Sequence, residues 1–238
     1  MKQFLFVLGL ALILACGLAA QDGGSGASKE PRIGKLRAGK ILFLGNSITL
    51  HPPAEGMMGA WGMAASAPDK DYVHLVSASI GKAAGIEPKV KVKAIADFER
   101  KYESYDVAAN LKDELDFKAD IVIVAIGENV PGLTDPAKEK YAASFARLLG
   151  ELKSHGNPAL FVRSSFWPDA TKDSVMKKAC IDAGGVFVDL GDLGRDASNF
   201  ARSERKFNNS GIGIHPGDKG MKAIADTIWS AIQKRSAE

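Results

Sequence analysis

Residues 119–126, Ala-Asp-Ile-Val-Ile-Val-Ala-Ile, form an almost unbroken run of apolar and mostly β-branched residues. A run without alternating polar residues indicates a parallel strand that is covered on both sides. The run at 40–44, Lys-Ile-Leu-Phe-Leu, has the same character. Val90, Val92 and the apolar residues 94–96 indicate a further strand, and short apolar runs follow at 159–162 and 186–188. The sequence therefore predicts a parallel sheet of five strands.

Segments with helical spacing separate these strands. Between Asp69 and Ala84 the apolar residues recur every three or four positions, and Gly85 provides a typical helix stop. Further helices are expected at 103–115, 136–155, 169–183 and 218–233. The alternation predicts an α/β fold, a three-layer α/β/α sandwich around a parallel sheet. Ligands of such sheets bind beyond the carboxyl ends of the strands.

The extreme N-terminus has the pattern of a signal peptide, which we assign to residues 1–15. Lys2 gives the positive start, and the apolar run 4–15 would reach only about 18 Å as a helix, short of the roughly 30 Å needed to cross a bilayer. Ile13-Leu14-Ala15-Cys16 resembles a bacterial lipobox, in which Cys16 would carry the lipid. We therefore expect an exported protein of the bacterial cell envelope, attached to the membrane through a lipid anchor only.

An ordinary signal peptidase site near Ala19 or Ala20 is the alternative, and it would release a periplasmic or secreted protein. In either case residues 16–35, with a Gly/Ser-rich stretch, are expected to be a flexible linker. Residues 36–238 are expected to form a single domain, because one core of this size is usual for an α/β fold.

The charge balance argues against a nucleic-acid partner. The chain has 31 basic and 28 acidic residues, a net charge of +3, and it lacks a Lys/Arg block with interleaved aromatic residues. Of its two cysteines, Cys16 is assigned to processing, so Cys180 has no partner for an internal disulfide.

Three short motifs follow the predicted strands or precede the last helix. Gly45-Asn46-Ser47 comes directly after the first strand, where a serine is exposed on a strand-to-helix turn. Gly127-Glu128-Asn129 follows the third strand, and the Asn129 amide is a candidate donor to an oxyanion. His215 lies in a Gly-rich loop before the last helix, where a base of near-neutral pKa can activate a hydroxyl.

Together these motifs resemble the blocks of the SGNH (GDSL-like) hydrolase family from Lys40 to the C-terminus. The resemblance implies a flavodoxin-like five-stranded parallel sheet of order 2-1-3-4-5, and ester hydrolysis through an acyl-enzyme with no metal or other cofactor. It implies Ser47 as the nucleophile and His215 as its base. The oxyanion would be held by the backbone N–H of Ser47 and the side chain of Asn129.

Two family positions differ in this chain. The glycine expected after the second strand corresponds to Ala96, which can serve because only its backbone N–H is needed. Placing this block at Gly81 or Gly85 would put it inside or after a helix. The second difference is larger, since Ile212 stands three residues before His215 where the triad aspartate is expected.

Three interpretations of Ile212 remain open. A backbone carbonyl orients His215 in a Ser–His dyad, or another polar residue replaces the aspartate, or the site binds without hydrolysing. Candidates for the replacement are Asn208, Asn209, Asp189 and Asp192.

Several other residues are candidates to line the pocket, and His51 is also a minor alternative to His215 as the base. They are Asn46, His51, Trp61, Asp97, Glu128 and Trp167. The exposed tryptophans and the export signal favour deacetylation of a glycan or polysaccharide, with a small-molecule or glycan ester as the partner. The alternative is a catalytically degenerate carbohydrate-binding lipoprotein of the same fold. A flavodoxin-like redox or nucleotide-binding protein is disfavoured, because a Gly-x-Gly-x-x-Gly motif and a phosphate-binding loop are lacking.

Overall fold

A computed structural model describes residues 30–238. The predicted signal peptide, the lipid attachment at Cys16 and the linker as far as residue 29 lie outside the described residues.

In the described part of the chain, residues 30–238, seven strands form two sheets. A hairpin of β1 (Arg32–Ile33) and β2 (Leu36–Arg37) precedes the main sheet. The main sheet consists of five parallel strands in the order β4-β3-β5-β6-β7. Its strands are β3 (Lys40–Gly45), β4 (Lys89–Ala94), β5 (Ile121–Ala125), β6 (Ala159–Arg163) and β7 (Val186–Val188). Counted along the chain, this order is the predicted 2-1-3-4-5, so the predicted fold class is confirmed.

Helices cover both faces of this sheet. The long ones are α1 (Tyr72–Ala84), α5 (Asp135–Ser154), α6 (Ala170–Asp182) and α8 (Asp218–Ala237). The short ones are α2 (Ala96–Lys101), α3 (Val107–Asn110), α4 (Lys112–Asp116) and α7 (Ser210–Gly213). Gly85 ends α1 in the left-handed conformation with φ of 67°, as its position in the sequence predicts.

The core is divided by the sheet into two apolar layers. In β3, Ile41 and Phe43 face α1 and α8, whereas Leu42 and Leu44 face α5 and α6. All four side chains are at most 1% exposed. Neither face of the strand contacts solvent. This burial is the physical reason that β3 and β5 appear as continuous apolar runs in the sequence.

The hairpin shifts the start of the folded region. We expected a linker as far as residue 35, but Ile33 pairs with Leu36 and is buried in the core. The backbone N–H of Lys35 also donates to the carbonyl of Ser236 at 3.0 Å, which fastens the hairpin to the end of α8. Residues 32–35 thus belong to the domain and not to the linker.

The segment after β4 also differs from its prediction. The expected strand at 90–96 ends at Ala94, and Ala96 begins a helix. The single helix expected at 103–115 is instead divided between the short helices α3 and α4. Within residues 30–238, no helix is long and apolar enough to cross a membrane.

Candidate active site

Ser47 lies on a tight turn at the carboxyl end of β3. The Asn46 carbonyl accepts hydrogen bonds from the N–H groups of Thr49 and Leu50, both at 2.9 Å, and the Asn46 side-chain oxygen accepts from the N–H of Ile48 at 3.1 Å. Gly45 leaves room for this turn, because a Cβ there would collide with the Thr49 side chain. Ser47 is therefore held at the surface between buried neighbours.

His215 reaches Ser47 from the loop before α8. The Ser47 Oγ lies 3.0 Å from the His215 Nε2, and the His215 Nδ1 lies 2.8 Å from the carbonyl oxygen of Gly211. A carbonyl oxygen can only accept, so the Nδ1 carries the hydrogen and the Nε2 presents its lone pair to the Ser47 hydroxyl. This is the tautomer that a general base needs.

The Gly211 carbonyl therefore takes the position of the missing aspartate. Ile212 is 7% exposed and packs in the apolar core, so it does not orient the imidazole. Asn209 instead caps α7 by accepting from the Gly211 N–H, and Asp189 accepts from the N–H of Gly191. The structure thus has the contacts of the first interpretation of Ile212, with a backbone carbonyl rather than another polar side chain against the imidazole, while binding without hydrolysis stays a prediction.

The surroundings of His215 keep it neutral. Desolvation lowers the pKa of His215 below its ordinary 6.5, against the opposing effects of the Gly211 hydrogen bond and the negative charge of Glu128. Trp167 contributes to this desolvation, because its ring lies edge-to-face with the imidazole at a centroid distance of 5.4 Å. The base is thus ready to accept a proton at neutral pH.

This lowered pKa predicts the pH dependence. A base works when it is neutral, so kcat/KM for an ester that does not ionise is expected to be level near pH 7 and to fall as the pH drops through the pKa of His215. We expect an apparent pKa below 6.5 for the acidic limb. An acidic limb centred above that value in the pH profile of kcat/KM would mean that His215 is not the base.

The backbone around Ser47 offers donors for an oxyanion. The N–H groups of Ser47 and Ala96 have no acceptor among residues 30–238. They lie at the same edge of the sheet, because Gly45 pairs with Ala94 and each donor comes two residues later in its chain segment. The Asn129 Nδ2 donates one hydrogen to Glu99 and keeps a second, which makes it the third available donor.

A network of buried charged side chains lies beneath these groups. The Asn46 Nδ2 donates to Glu99 Oε1 at 3.2 Å and to Glu128 Oε2 at 2.6 Å. Glu128 forms an ion pair with Arg163 at 2.6 Å and accepts from the N–H of Phe166 at 2.7 Å. The Arg163 and Glu128 side chains are 0% and 4% exposed. The turn that carries Ser47 thus rests on paired buried charges.

The two carboxylates of this network differ in electrostatics. Burial acts to raise the pKa of Glu128, but the charge and hydrogen bond of Arg163 outweigh it and hold the pKa below its usual range. Burial, followed by the charge of Glu128, raises the pKa of Glu99. Arg163 therefore compensates Glu128 directly, whereas Glu99 depends on hydrogen bonds.

The candidate pocket residues separate into three groups. Asn46 and Trp61 are buried and the Glu128 side chain is only 4% exposed, so these three side chains do not form an exposed pocket surface as predicted. Asn46 and Glu128 point into the charge network, and Trp61 packs in the core with its indole N–H on the Ala65 carbonyl. Asp97 is exposed, and within residues 30–238 its side chain makes no hydrogen bond to the residues named above.

His51 and Trp167 remain at the site. The Nδ1 of His51 lies 2.8 Å from the Pro52 carbonyl, and the charge of His51 acts to lower the pKa of His215. Because Ser47 contacts His215, the structure does not support His51 as its base. Trp167 is half-buried beside His215 and so has the position expected of a pocket residue.

Sequence reasoning missed Glu99, Arg100 and Arg163. Arg163 could have been noticed in the sequence, because it is a charged residue at the end of the apolar strand 159–163, at the edge of the sheet where the motifs meet. Glu99 and Arg100 left no such signal, since a short helix with charged residues is ordinary on a protein surface.

Comparisons with known proteins show the fold. No family model matches the chain, and no curated protein is similar to it in sequence. A protein from Bacteroides uniformis described as a GDSL-like lipase has 13% identity and a TM-score of 0.53, over 82% of this chain and 95% of that one. A similar protein from Bacteroides ovatus has the same identity and TM-score, over 82% and 98%.

A third solved structure is a family two carbohydrate esterase from Cellvibrio japonicus. It has 16% identity and a TM-score of 0.51, over 83% of this chain and 61% of that chain. These likenesses show that the chain has the α/β fold of GDSL-like hydrolases and carbohydrate esterases.

Proposed function

We propose that this chain is a serine carboxylic ester hydrolase that works through an acyl-enzyme and removes acetyl groups from a glycan or polysaccharide. The observation that carries the proposal is the chain of contacts from Ser47 Oγ to His215 Nε2 at 3.0 Å, and from His215 Nδ1 to the Gly211 carbonyl at 2.8 Å. A serine, a base and an orienting acceptor in this order are the parts that nucleophilic catalysis requires.

The reaction proceeds in two steps. The Ser47 Oγ attacks the acyl carbonyl carbon while its proton passes to His215 Nε2, and the resulting oxyanion accepts hydrogen bonds from Ser47 N–H, Ala96 N–H and Asn129 Nδ2. The protonated imidazole then gives its proton to the departing alcohol oxygen. In the second step His215 takes a proton from water while the resulting hydroxide attacks the acyl carbon; the bond from that carbon to Ser47 Oγ then breaks, His215 returns the proton to Oγ, and the acid leaves.

Because the group that orients His215 is a neutral carbonyl, it stabilises the imidazolium less than an aspartate would, and the charge network offsets part of this difference. A carboxylate stabilises the imidazolium more strongly than a backbone carbonyl does. The negative charge of Glu128 acts on His215 in the same direction as the missing aspartate, although it is not in contact with the ring. A Ser–His pair without an aspartate is therefore compatible with hydrolysis.

Three features favour an acetylated glycan. Trp167 presents a partly exposed indole beside His215, and such rings stack on sugars. The predicted export signal and lipid anchor would place the enzyme where envelope polysaccharides occur. The Cellvibrio japonicus structure of the same fold is described as a carbohydrate esterase.

Release of acetate tests this proposal. We expect the chain to release acetate from a chemically acetylated xylo-oligosaccharide with a higher kcat/KM than from methyl acetate, because the sugar adds contacts at Trp167 that the small ester lacks. Equal values for the two esters would contradict the glycan assignment while leaving the esterase standing. No hydrolysis of either, together with binding of the oligosaccharide, would favour the non-catalytic carbohydrate-binding alternative.

A further inference from the structure

The helix α2 brings three different groups to the candidate oxyanion hole. Ala96, its first residue, offers a backbone N–H that has no acceptor among the described residues. Glu99 and Arg100 follow one turn later and both contact the side chain of Asn129. Helix α2 thus touches the site through its backbone and through two consecutive charged side chains.

The two side chains contact opposite ends of the Asn129 amide. The Asn129 Nδ2 donates to Glu99 Oε2 at 2.8 Å, and Arg100 donates to Asn129 Oδ1 at 3.2 Å. A carboxylate only accepts hydrogen bonds and a guanidinium only donates them. The reversed amide would set a lone pair against Glu99 and an N–H against Arg100, so the two partners permit a single orientation.

We propose that Glu99 and Arg100 are positioning residues that fix the Asn129 amide with its second Nδ2 hydrogen available to the oxyanion. The proposal rests on the proposed esterase function. In the reversed orientation the amide would offer oxygen lone pairs to a developing negative charge, so the transition state would lose one of its three donors and gain a repulsion.

The remaining bonds of Glu99 favour the ionised form of its carboxylate. Its Oε1 accepts from the Gly127 N–H at 2.7 Å, from the Asn129 N–H at 3.0 Å and from the Asn46 Nδ2 at 3.2 Å. All four groups around the carboxylate are donors, and Glu99 is 0% exposed. Donors on every side favour the charged form, against the raised pKa that burial imposes on Glu99.

The variant Glu99→Gln tests the proposal at one atom. Glutamine keeps the Oε1 acceptor for Gly127, Asn129 and Asn46, but places an NH2 group opposite the Asn129 Nδ2. We expect kcat for an acetate ester to fall about 10²-fold with little change in KM, close to the fall of about 10² to 10³ expected for Asn129→Ala. In the Asn129→Ala background, Glu99→Gln should lower kcat by less than about threefold, because its target is gone.

An exposed position gives an independent test that does not risk the fold. Arg100→Met removes the partner of the Asn129 Oδ1, and we expect kcat to fall about threefold in the wild-type background and not in the Asn129→Ala background. Lys101→Met is the matched control, since it removes one exposed cation from the same helix without contact to Asn129. Its kcat should equal that of the wild type.

The outcomes distinguish this proposal from the function on which it rests. The positioning role is overturned if Glu99→Gln lowers kcat equally in the wild-type and Asn129→Ala backgrounds. It is also overturned if neither Glu99→Gln nor Arg100→Met lowers kcat in the wild-type background. In both cases the esterase activity itself still stands. If the wild-type chain hydrolyses no ester, the proposed function fails and the positioning role fails with it. Non-additive losses in the folded variants would establish the role.

Discussion

Replacing Ser47 by alanine is expected to lower kcat for ester hydrolysis by about 10⁴- to 10⁶-fold, because no other hydroxyl within residues 30–238 contacts His215 Nε2. The variant His215→Ala is expected to lose about as much, since an unactivated serine hydroxyl is a poor nucleophile. The double variant should be no slower than either single one, because the two groups act as one unit.

The control for this series is Ser77→Ala. Ser77 is a partly buried serine on α1 whose hydroxyl donates to the Val73 carbonyl at 2.7 Å, away from the site. The Ser77→Ala variant should hydrolyse the ester at the wild-type rate and unfold at a temperature similar to that of the wild type. Substantial turnover by a folded Ser47→Ala variant would show that hydrolysis occurs elsewhere in the chain.

Replacing Arg163 by methionine is expected to lower the free energy of unfolding by about 3–5 kcal/mol at pH 7. The change leaves the Glu128 carboxylate, whose side chain is 4% exposed, without its ion-pair partner. Removing one member of a buried pair is costly because the remaining charge is neither hydrated nor compensated. Urea unfolding followed by circular dichroism measures the difference.

Two comparisons make the Arg163 result specific. Lys178→Met breaks an exposed ion pair with Asp182, whose side chains are 78% and 61% exposed, and should change stability little. Adding Glu128→Gln to Arg163→Met should recover part of the loss, because it removes the uncompensated charge. A stability of Arg163→Met equal to that of the wild type would mean that the pair does not support the turn beneath Ser47.

The parallel sheet and the meeting of Ser47 and Asn129 at one of its edges could be predicted from the sequence for a physical reason, whereas the strand order was implied by a family resemblance. Buried parallel strands leave continuous apolar runs, and residues that directly follow such strands must meet at one edge of the sheet. Ser47 lies two residues after the last residue of β3, and Asn129 lies four residues after the last residue of β5, so chain position alone indicates their proximity.

The charge network could not be predicted in this way. Glu99 is fully buried although it lies on a short helix with charged neighbours, where a solvated side chain is the usual outcome. Its burial depends on donors from Gly127, Asn129 and Asn46, which lie 28, 30 and 53 residues away in the chain. A pattern within one segment carries no information about such partners.

The motif comparison left a backbone carbonyl open as the group that orients His215, but it could not identify which carbonyl, for a related reason. A motif identifies side chains, and Ile212 has none that can accept a hydrogen bond. The acceptor is the backbone carbonyl of Gly211, and any residue at that position has one. Only the turn of α7, which brings this carbonyl within 2.8 Å of His215 Nδ1, makes it the orienter.

The central claim is that Ser47 is activated by His215 without an aspartate. Treating the full chain with a fluorophosphonate and locating the adduct by peptide mass spectrometry tests it most directly, because the reagent labels activated serines whichever ester is the substrate. We expect one adduct, on Ser47, that is absent from the folded variants Ser47→Ala and His215→Ala. A folded wild-type chain without an adduct, or with labelling of Ser47 that persists in His215→Ala, would contradict it.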